Sequence, residues 1–351
     1  MNQSAPNGSQ QPDPSHIMQT GMAFFPSKVL LTAVKLDLFT ELAARHGAGA
    51  AELKSHLGFQ CTDRHFFDFL DTLVALGFLT REGLLTTAKY NNAADSDMFL
   101  DKAKPAYVGG MLTMANNRLY PFWSDLEDGL RTGQAQNEIK HGGDDLFAAL
   151  YQSPERLREF IHAMSGVQMG NFMAFAQKFD FSSRKTLADI GGSGAMLSIM
   201  VAKHNPHMHC VSFDLPPVAP IADDNINKFG MNAQVKTAAG DFFADPLPAA
   251  DVLVMGNILH DWDEEKKLEL MKLAYDALPA GGAFAAIENV IDDDRRQNAF
   301  GMMMSLNMLI ETAHGFDYSY AEFRRWAKAC GFSRTELLPL TGPSSAAIAY
   351  K

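Results

Sequence analysis

Residues 186–215, TLADIGGSGAMLSIMVAKHNPHMHCVSFDL, constrain this chain more than any other stretch. Two short apolar runs, 187–190 and 210–213, flank a glycine turn and a segment of helical character. That is the pattern of a strand, a helix and a second strand of a parallel sheet. Gly191, Gly192 and Gly194 fall where the first strand ends, where glycine permits positive φ and close approach of backbone to a ligand. The helix that follows starts with free N–H groups. Three carboxylates lie around the turn and at successive strand ends: Asp189 two residues before the first glycine, Asp214 closing the second strand, and Asp241 in Ala-Gly-Asp-Phe-Phe after the run 233–237. Open α/β sheets bind ligands at that edge. Three acids repel a pyrophosphate, so a nucleoside with a cationic end suits the site better than a dinucleotide.

The rhythm continues with strands at 251–256 and 283–290, helices at 264–278, 297–312 and 320–330, and a closing pair of strands at 334–338 and 346–350. Upstream, apolar residues recur at helical spacing over 18–44 with a break near Asp37. Short helices follow at 51–58 and 63–75, the second capped by Asp63, and a two-stranded wing turns around Glu82 and Gly83. Residues 111–132, 144–151 and 153–179 read as helices, the last opened by a Ser153-Pro-Glu cap. The expected organisation is a disordered tail over 1–17, a winged-helix-like domain over 18–104, a helical linker and pocket wall over 105–180, and a Rossmann-like α/β domain over 181–351 with an antiparallel last strand.

Composition bears on partners. The formal net charge is −11, which argues against nucleic acid or an anionic membrane as main partner. The helix at 64–76, RHFFDFLDTLVAL, occupies a recognition-helix position yet carries two acids and one arginine, a poor surface for phosphates. Cys61, Cys210 and Cys330 lie far apart with no C-x-x-C pair, which suits buried thiols in a reducing cytoplasm. No run near the ~20 apolar residues of a membrane span is read from the sequence, nor a signal peptide at the start. His204, His207 and His209 are dense, but they lie where a strand begins, opposite the ligand edge, and Cys210 points to the other face, so no metal site is read there.

The succession DIGGSGA, FDLP, GDFF, NILHDWDEEKKLELM and GGAFAAIENV resembles the class I S-adenosylmethionine (SAM)-dependent O-methyltransferases that act on small molecules, the group of the caffeic acid and acetylserotonin enzymes and of bacterial natural-product tailoring enzymes. The likeness runs from about residue 20 to 350, and the HDW segment is its most specific part. It implies SAM as methyl donor, an intertwined homodimer through the N-terminal domain with Met22, Phe24 and Phe25 as candidate contacts, and a reaction that needs no metal. For the donor it implies Asp189, Gly191, Gly192 and Gly194 at the methionine portion, Asp214 on the ribose, Leu215 packed on adenine, Gly240, Asp241 and Phe242 around the adenine, and Gly256 with Asn257 where the family often has a basic residue.

A phenol has a pKa of about 10, so a general base helps its methylation at neutral pH, and histidine is the side chain best matched to that duty. The resemblance assigns the role to His260 and its orientation to two acids. Glu288 matches the first. The second falls in a segment that here reads His314-Gly-Phe-Asp-Tyr-Ser, which places Asp317, one methylene shorter than the family's glutamate, at the acid's position, with Glu311 and His314 as alternatives. Met169, Phe172, Asp261, Met303, Asn307, Met308 and Thr312 are the implied acceptor-site residues, Asn307 the polar anchor. Besides O-methylation, a SAM-binding relative that methylates carbon or nitrogen, or that does not methylate, remains open, and a winged-helix regulator fits least because it leaves His260 and Glu288 unexplained.

Overall fold

The computed structural model describes residues 12–104, 106–141 and 153–351, and the chain divides into two compact units, residues 1–116 and 117–351. In the first unit, helices Ser15–Gly21, Phe24–Lys35 and Leu38–Arg45 are followed by β1 (Ala48–Gly49), helices Ala50–His56 and Asp63–Ala75, β2 (Leu79–Glu82), β3 (Lys89–Asn92) and helix Ala94–Leu100. Asp37 adopts a left-handed conformation (φ 56°), which breaks the helical run where the sequence placed the break. The helix Ser15–Gly21 begins inside the stretch read as a tail, with the Asp13 carboxylate accepting from the Ser15 N–H at 2.7 Å. Residues 1–11 of that tail lie outside the described residues, as do 144–151.

Two local readings need correction. Thr62, not Asp63, caps the helix at 63–75, because its hydroxyl accepts from the His65 N–H. The wing is a three-stranded antiparallel sheet in the order β1-β3-β2. Residues 85–87 form a 3₁₀ turn, so β2 pairs with β3 rather than with the chain directly after Gly83. By length and composition the span Ser15–Lys35 would be long and apolar enough to cross a membrane, contrary to the sequence reading. It is broken into two helices at Met22 and Ala23. Ile17, Met18, Met22, Phe24 and Phe25 are exposed on it.

The second unit is built on a seven-stranded sheet. Its strands are β4 (Thr186–Ile190), β5 (His209–Asp214), β6 (Val235–Ala239), β7 (Val252–Gly256), β8 (Ala283–Glu288), β9 (Arg334–Pro339) and β10 (Ser345–Tyr350), in the order β6-β5-β4-β7-β8-β10-β9. The first five are mutually parallel, and β10 is antiparallel to both β8 and β9. Apolar residues alternate between faces with period two. Leu187, Val252, Val254, Ala285 and Ile287 pack against the helices Pro154–Lys178 and Met196–His204, while Ala188, Ile190, Leu253, Met255 and Phe284 pack against Glu264–Ala277 and Tyr320–Cys330.

The segment read as one helix over 111–132 is segmented. A π turn at Ala115–Leu119 precedes Pro121, which lacks an N–H for the ladder, and a 3₁₀ turn at Trp123–Asp125 leads to the helix Leu126–Thr132. Helix Pro154–Lys178 starts as expected, with the Ser153 hydroxyl accepting from Arg156 N–H. Helix Tyr320–Cys330 carries a capping box in which Ser319 and Glu322 accept reciprocally. Ser319→Ala is expected to lower stability by about 1 kcal/mol, read as an earlier urea midpoint at unchanged slope.

Candidate active site

Strand order reverses between β4 and β7, the switch point of the sheet, where loops leave in opposite directions and open a crevice. The strands end in register there: Ile190 lies beside Phe213 and Met255, Asp214 beside Ala239, and Gly256 beside Ile287. The glycine turn folds back over β5, with the N–H groups of Gly191 and Gly192 donating to the Phe213 carbonyl at 2.9 and 3.2 Å. Gly191 has φ +67°, and a side chain on it would run into Ile258. A Cβ on Gly192 would collide with the Ser212 hydroxyl and lie 2.9 Å from the Asp189 carbonyl, and one on Gly194 would meet Asn225 and Ile161 at 2.9 and 3.0 Å. Backbone alone fits these positions.

The carboxylates around this turn divide into two kinds. Asp189 is fully buried, accepts from the Ser198 hydroxyl at 3.2 Å, and burial pushes its pKa up to about 7. A Cβ on Gly192 would also stand 3.0 Å from its carboxyl carbon, so Asp189 borders the turn. Asp214 is half-buried at the crevice, holds the turn by accepting from Ser193 N–H at 2.8 Å and Leu215 N–H at 2.7 Å, and is raised by burial. Gly240 donates to the Asp214 carbonyl at 2.9 Å, Asp241 is exposed, and Phe242 packs edge-on to Phe243. Two buried oxygens at this edge, Ser212 Oγ and Asn257 Oδ1, have no hydrogen-bond partner, and Asn257 itself has φ 54°. A crevice of bare backbone and unspent polar atoms fits a nucleoside with an amino-acid tail, the shape of SAM.

Beyond β7 the chain makes the tight turn Leu259–Asp261, which carries His260, 5% exposed. Its backbone N–H donates to Glu288 Oε1 at 3.1 Å, tying the turn to the end of β8. Its Nδ1 lies 3.5 Å from Asp317 Oδ1 and its Nε2 3.4 Å from Asp261 Oδ1. Burial by itself lowers the imidazolium, but Asp261, Asp317 and Glu288 outweigh it and push the pKa up to about 10. Glu288 is raised by its own burial.

Asp317 reaches His260 because Ile291 bridges to Ser319 and donates to the Tyr318 carbonyl at 2.9 Å, laying the segment along the exit of β8. Gly315 is needed there: a Cβ would stand 2.5 Å from the His260 carbonyl. The alternatives are placed elsewhere, Glu311 paired with Arg118 at 3.0 Å and His314 exposed.

Of the implied acceptor residues, Phe172 lies against Gly256, 3.6 Å from the place a Cβ would take. Met169 and Phe172 pack half-buried on the sheet. Helix Ala299–Thr312 packs against the His260 turn. Asn307 and Met308 are buried on it, whereas Met303 is 48% exposed. Thr312 donates to the Met308 carbonyl and accepts from Gly315 N–H, both at 2.8 Å, which ties the helix to the start of the Asp317 segment. The sequence missed Trp123, whose indole donates to Asn307 Oδ1 at 2.8 Å, and Arg118, forked on Glu138 at 2.7 and 2.8 Å. Nothing in local spacing points to either, since each partner is distant in the chain.

His204 and His207 are engaged with Gln177 and the Phe181 carbonyl, and among the described residues no group of three or more metal-ligating side chains is assembled. Cys210 and Cys330 are buried, as expected, while Cys61 is exposed, contrary to the reading of it as a buried thiol.

The O-methyltransferase domain family matches residues 123–333, and the O-methyltransferase dimerisation domain family matches residues 18–102. The chain belongs to the SAM-dependent O-methyltransferase family. It is 38% identical over 338 residues to the tetracenomycin polyketide synthesis 8-O-methyl transferase TcmO of Streptomyces glaucescens, covering 96% of this chain and 97% of that protein. It is 30% identical to the N,N-dimethyltransferase OxyT of Streptomyces rimosus, over 90% of each. Human N-acetylserotonin methyltransferase in complex with SAM superposes with a TM-score of 0.88 at 27% identity, covering 98% of this chain and 99% of that one. Gly192→Ala is expected to weaken SAM binding by at least about tenfold in calorimetry, because a side chain fills the close approach the turn exists to allow.

Proposed function

We propose that this enzyme transfers a methyl group from SAM to a hydroxyl of a small aromatic or conjugated molecule, with His260 as general base. The observation that carries the reading is the buried imidazole held between two carboxylates, Asp317 at Nδ1 and Asp261 at Nε2. SAM supplies an electrophilic methyl on a sulfonium. The hydroxyl oxygen bonds to that carbon as the carbon–sulfur bond breaks, and the hydroxyl proton passes to His260 Nε2. Asp317, facing Nδ1 at 3.5 Å, stabilises the imidazolium by its charge. Glu288 holds the turn through the backbone N–H, and Asp261, 3.4 Å from Nε2, adds to the negative charge that favours the imidazolium. Asp214 and Leu215 take the ribose and adenine, Gly240, Asp241 and Phe242 border the adenine, and Asn257 with its unspent oxygen stands near the amino-acid tail.

Met169, Phe172, Met308 and Met303 offer polarisable apolar surface to a flat acceptor, and Asn307 one polar group among them. The exposed apolar residues Met22, Phe24 and Phe25 lie in the segment matched by the dimerisation domain, which supports a homodimer. Likeness to an N,N-dimethyltransferase favours an amine acceptor as the second reading. Hydroxyl and amine differ in their need for a base, so one variant separates them.

Pure enzyme with labelled SAM and a panel of phenolic and hydroxy-heteroaromatic acceptors should place label in an organic product, and His260→Ala should lower the rate by about 100-fold or more. Label in amine products alone, with His260→Ala near wild type, contradicts the oxygen reading. The base is active only when neutral, so kcat/KM should rise with pH well above the ordinary histidine value of 6.5. In Asp317→Asn a carboxylate that favours the imidazolium is gone, so the midpoint should move down toward neutrality while kcat falls by about tenfold or more.

A further inference from the structure

Helix Pro154–Lys178 lies along the switch-point crevice, and three contacts fix its course. A side chain on Gly194 would meet Ile161 at 3.0 Å and the Ser165 hydroxyl at 3.3 Å, and one on Gly256, at the end of β7, would meet the Phe172 ring at 3.6 Å. Asn171 bonds to Thr341 in the turn between β9 and β10. That turn stands beyond the end of β8, because Ser345 pairs with Glu288. Ile161, Ser165, Gln168 and Phe172 share one face of the helix by their spacing, so Gln168 falls between the glycine turn and the end of β7. It is 8% exposed, a buried amide on the wall of the crevice.

The orientation of this amide is dictated by a chain of bonds that starts at the backbone. The Thr341 N–H can only donate, and it donates to Asn171 Oδ1 at 3.3 Å, as does the Thr341 hydroxyl. Asn171 therefore turns its Nδ2 the other way and donates to Gln168 Oε1 at 2.9 Å. Gln168 is left with Nε2 as its free end, and among the described residues that nitrogen has no hydrogen-bond partner. A buried N–H without an acceptor is costly, so the group calls for one. The ionisable groups around the glycine turn are acids, Asp189, Asp214 and Asp241, and positions 256 and 257 are glycine and asparagine. A carboxylate entering there meets no cation at those positions and needs neutral donors. The amino-acid tail of SAM ends in such a carboxylate. We propose that Gln168 donates from Nε2 to the carboxylate of SAM, and that Thr341 and Asn171 are positioning residues that keep the donor end of the amide toward the crevice. This rests on SAM placing its amino-acid tail between the glycine turn and Asn257.

The test compares, by calorimetry on the whole enzyme, the binding of SAM with that of decarboxylated SAM, which keeps the sulfonium and the amine and lacks the carboxylate. Wild type should prefer SAM by about tenfold or more, since a hydrogen bond to a charged group is at stake. Gln168→Met, of similar volume, should cost about tenfold in SAM affinity and leave the decarboxylated form within about twofold. Asn171→Asp keeps the acceptor for Thr341 and removes the donor to Gln168. It should cost about threefold or more for SAM alone, and it should add nothing to Gln168→Met in the double variant, because Asn171 acts through Gln168. Additive losses overturn the relay. Equal losses for both ligands, or none for either, leave Gln168 a packing residue and overturn the proposal, as does a wild type that binds the two ligands alike. A raised KM for the acceptor at unchanged SAM affinity overturns it as well. Gly192→Ala separates the two claims: no effect of it on SAM affinity defeats the placement of the donor and this role with it, whereas a loss there beside an inert Gln168→Met defeats the role of the amide alone. Should Gln168→Met not fold, Gln168→Glu has the same shape, loses the donor and sets a charge against the carboxylate. It should weaken SAM by more than about tenfold relative to the decarboxylated form, and an equal change in both counts against the assignment.

Discussion

Everything in the catalytic unit follows from five parallel strands ending in register at one edge while their order reverses in the middle. Parallel strands force their connections over the faces, so the two layers of helices leave the carboxyl edge open. The glycine turn after β4 and the His260 turn after β7 then emerge side by side although more than sixty residues separate them in the chain. β8 ends next to β7 and delivers Glu288 to the backbone of the His260 turn. No single contact produces this proximity. The register of the sheet does, and the apolar alternation of its strands sets the register.

Charge is what distinguishes the two halves of the crevice. Around the glycine turn, Asp189 and Asp214 are spent on backbone and hydroxyl donors, so they shape the cradle and leave it mildly negative, suited to a sulfonium nucleoside. Around His260 stand three carboxylates, Asp261, Asp317 and Glu288, whose charge favours the imidazolium. Such clusters cost desolvation free energy and are tolerated where they shift a proton. The departure at residues 314–319 is absorbed in the same way. Gly315 lets the backbone close on the His260 carbonyl, and the shorter Asp317 still comes to 3.5 Å of Nδ1.

Much of this was legible in the sequence because it is local. The strand, glycine turn, helix and strand at 186–215, the capped helices at 154 and 320, the HDW turn and the break at Asp37 each depend on neighbours within a few residues. What escaped depends on distant partners or on competing local geometry. Asp189 and Thr312 stand out by residue type and position, and only packing reveals the hydrogen bonds they accept from Ser198 and Gly315. Lys267 is buried although the run EEKKLEL gives no sign that one lysine turns inward. Pro121 and the π turn before it divided a stretch whose apolar spacing suited a single helix.

The central claim is that a buried, carboxylate-clamped imidazole is the group that handles the acceptor's proton. The most direct measurement is the ¹⁵N spectrum of His260 in the wild-type enzyme without ligand, followed with pH. The account predicts a titration displaced to higher pH than that of an ordinary imidazole by its three acids, with the rise of kcat/KM following the same midpoint. A His260 titration that kcat/KM does not follow would contradict it.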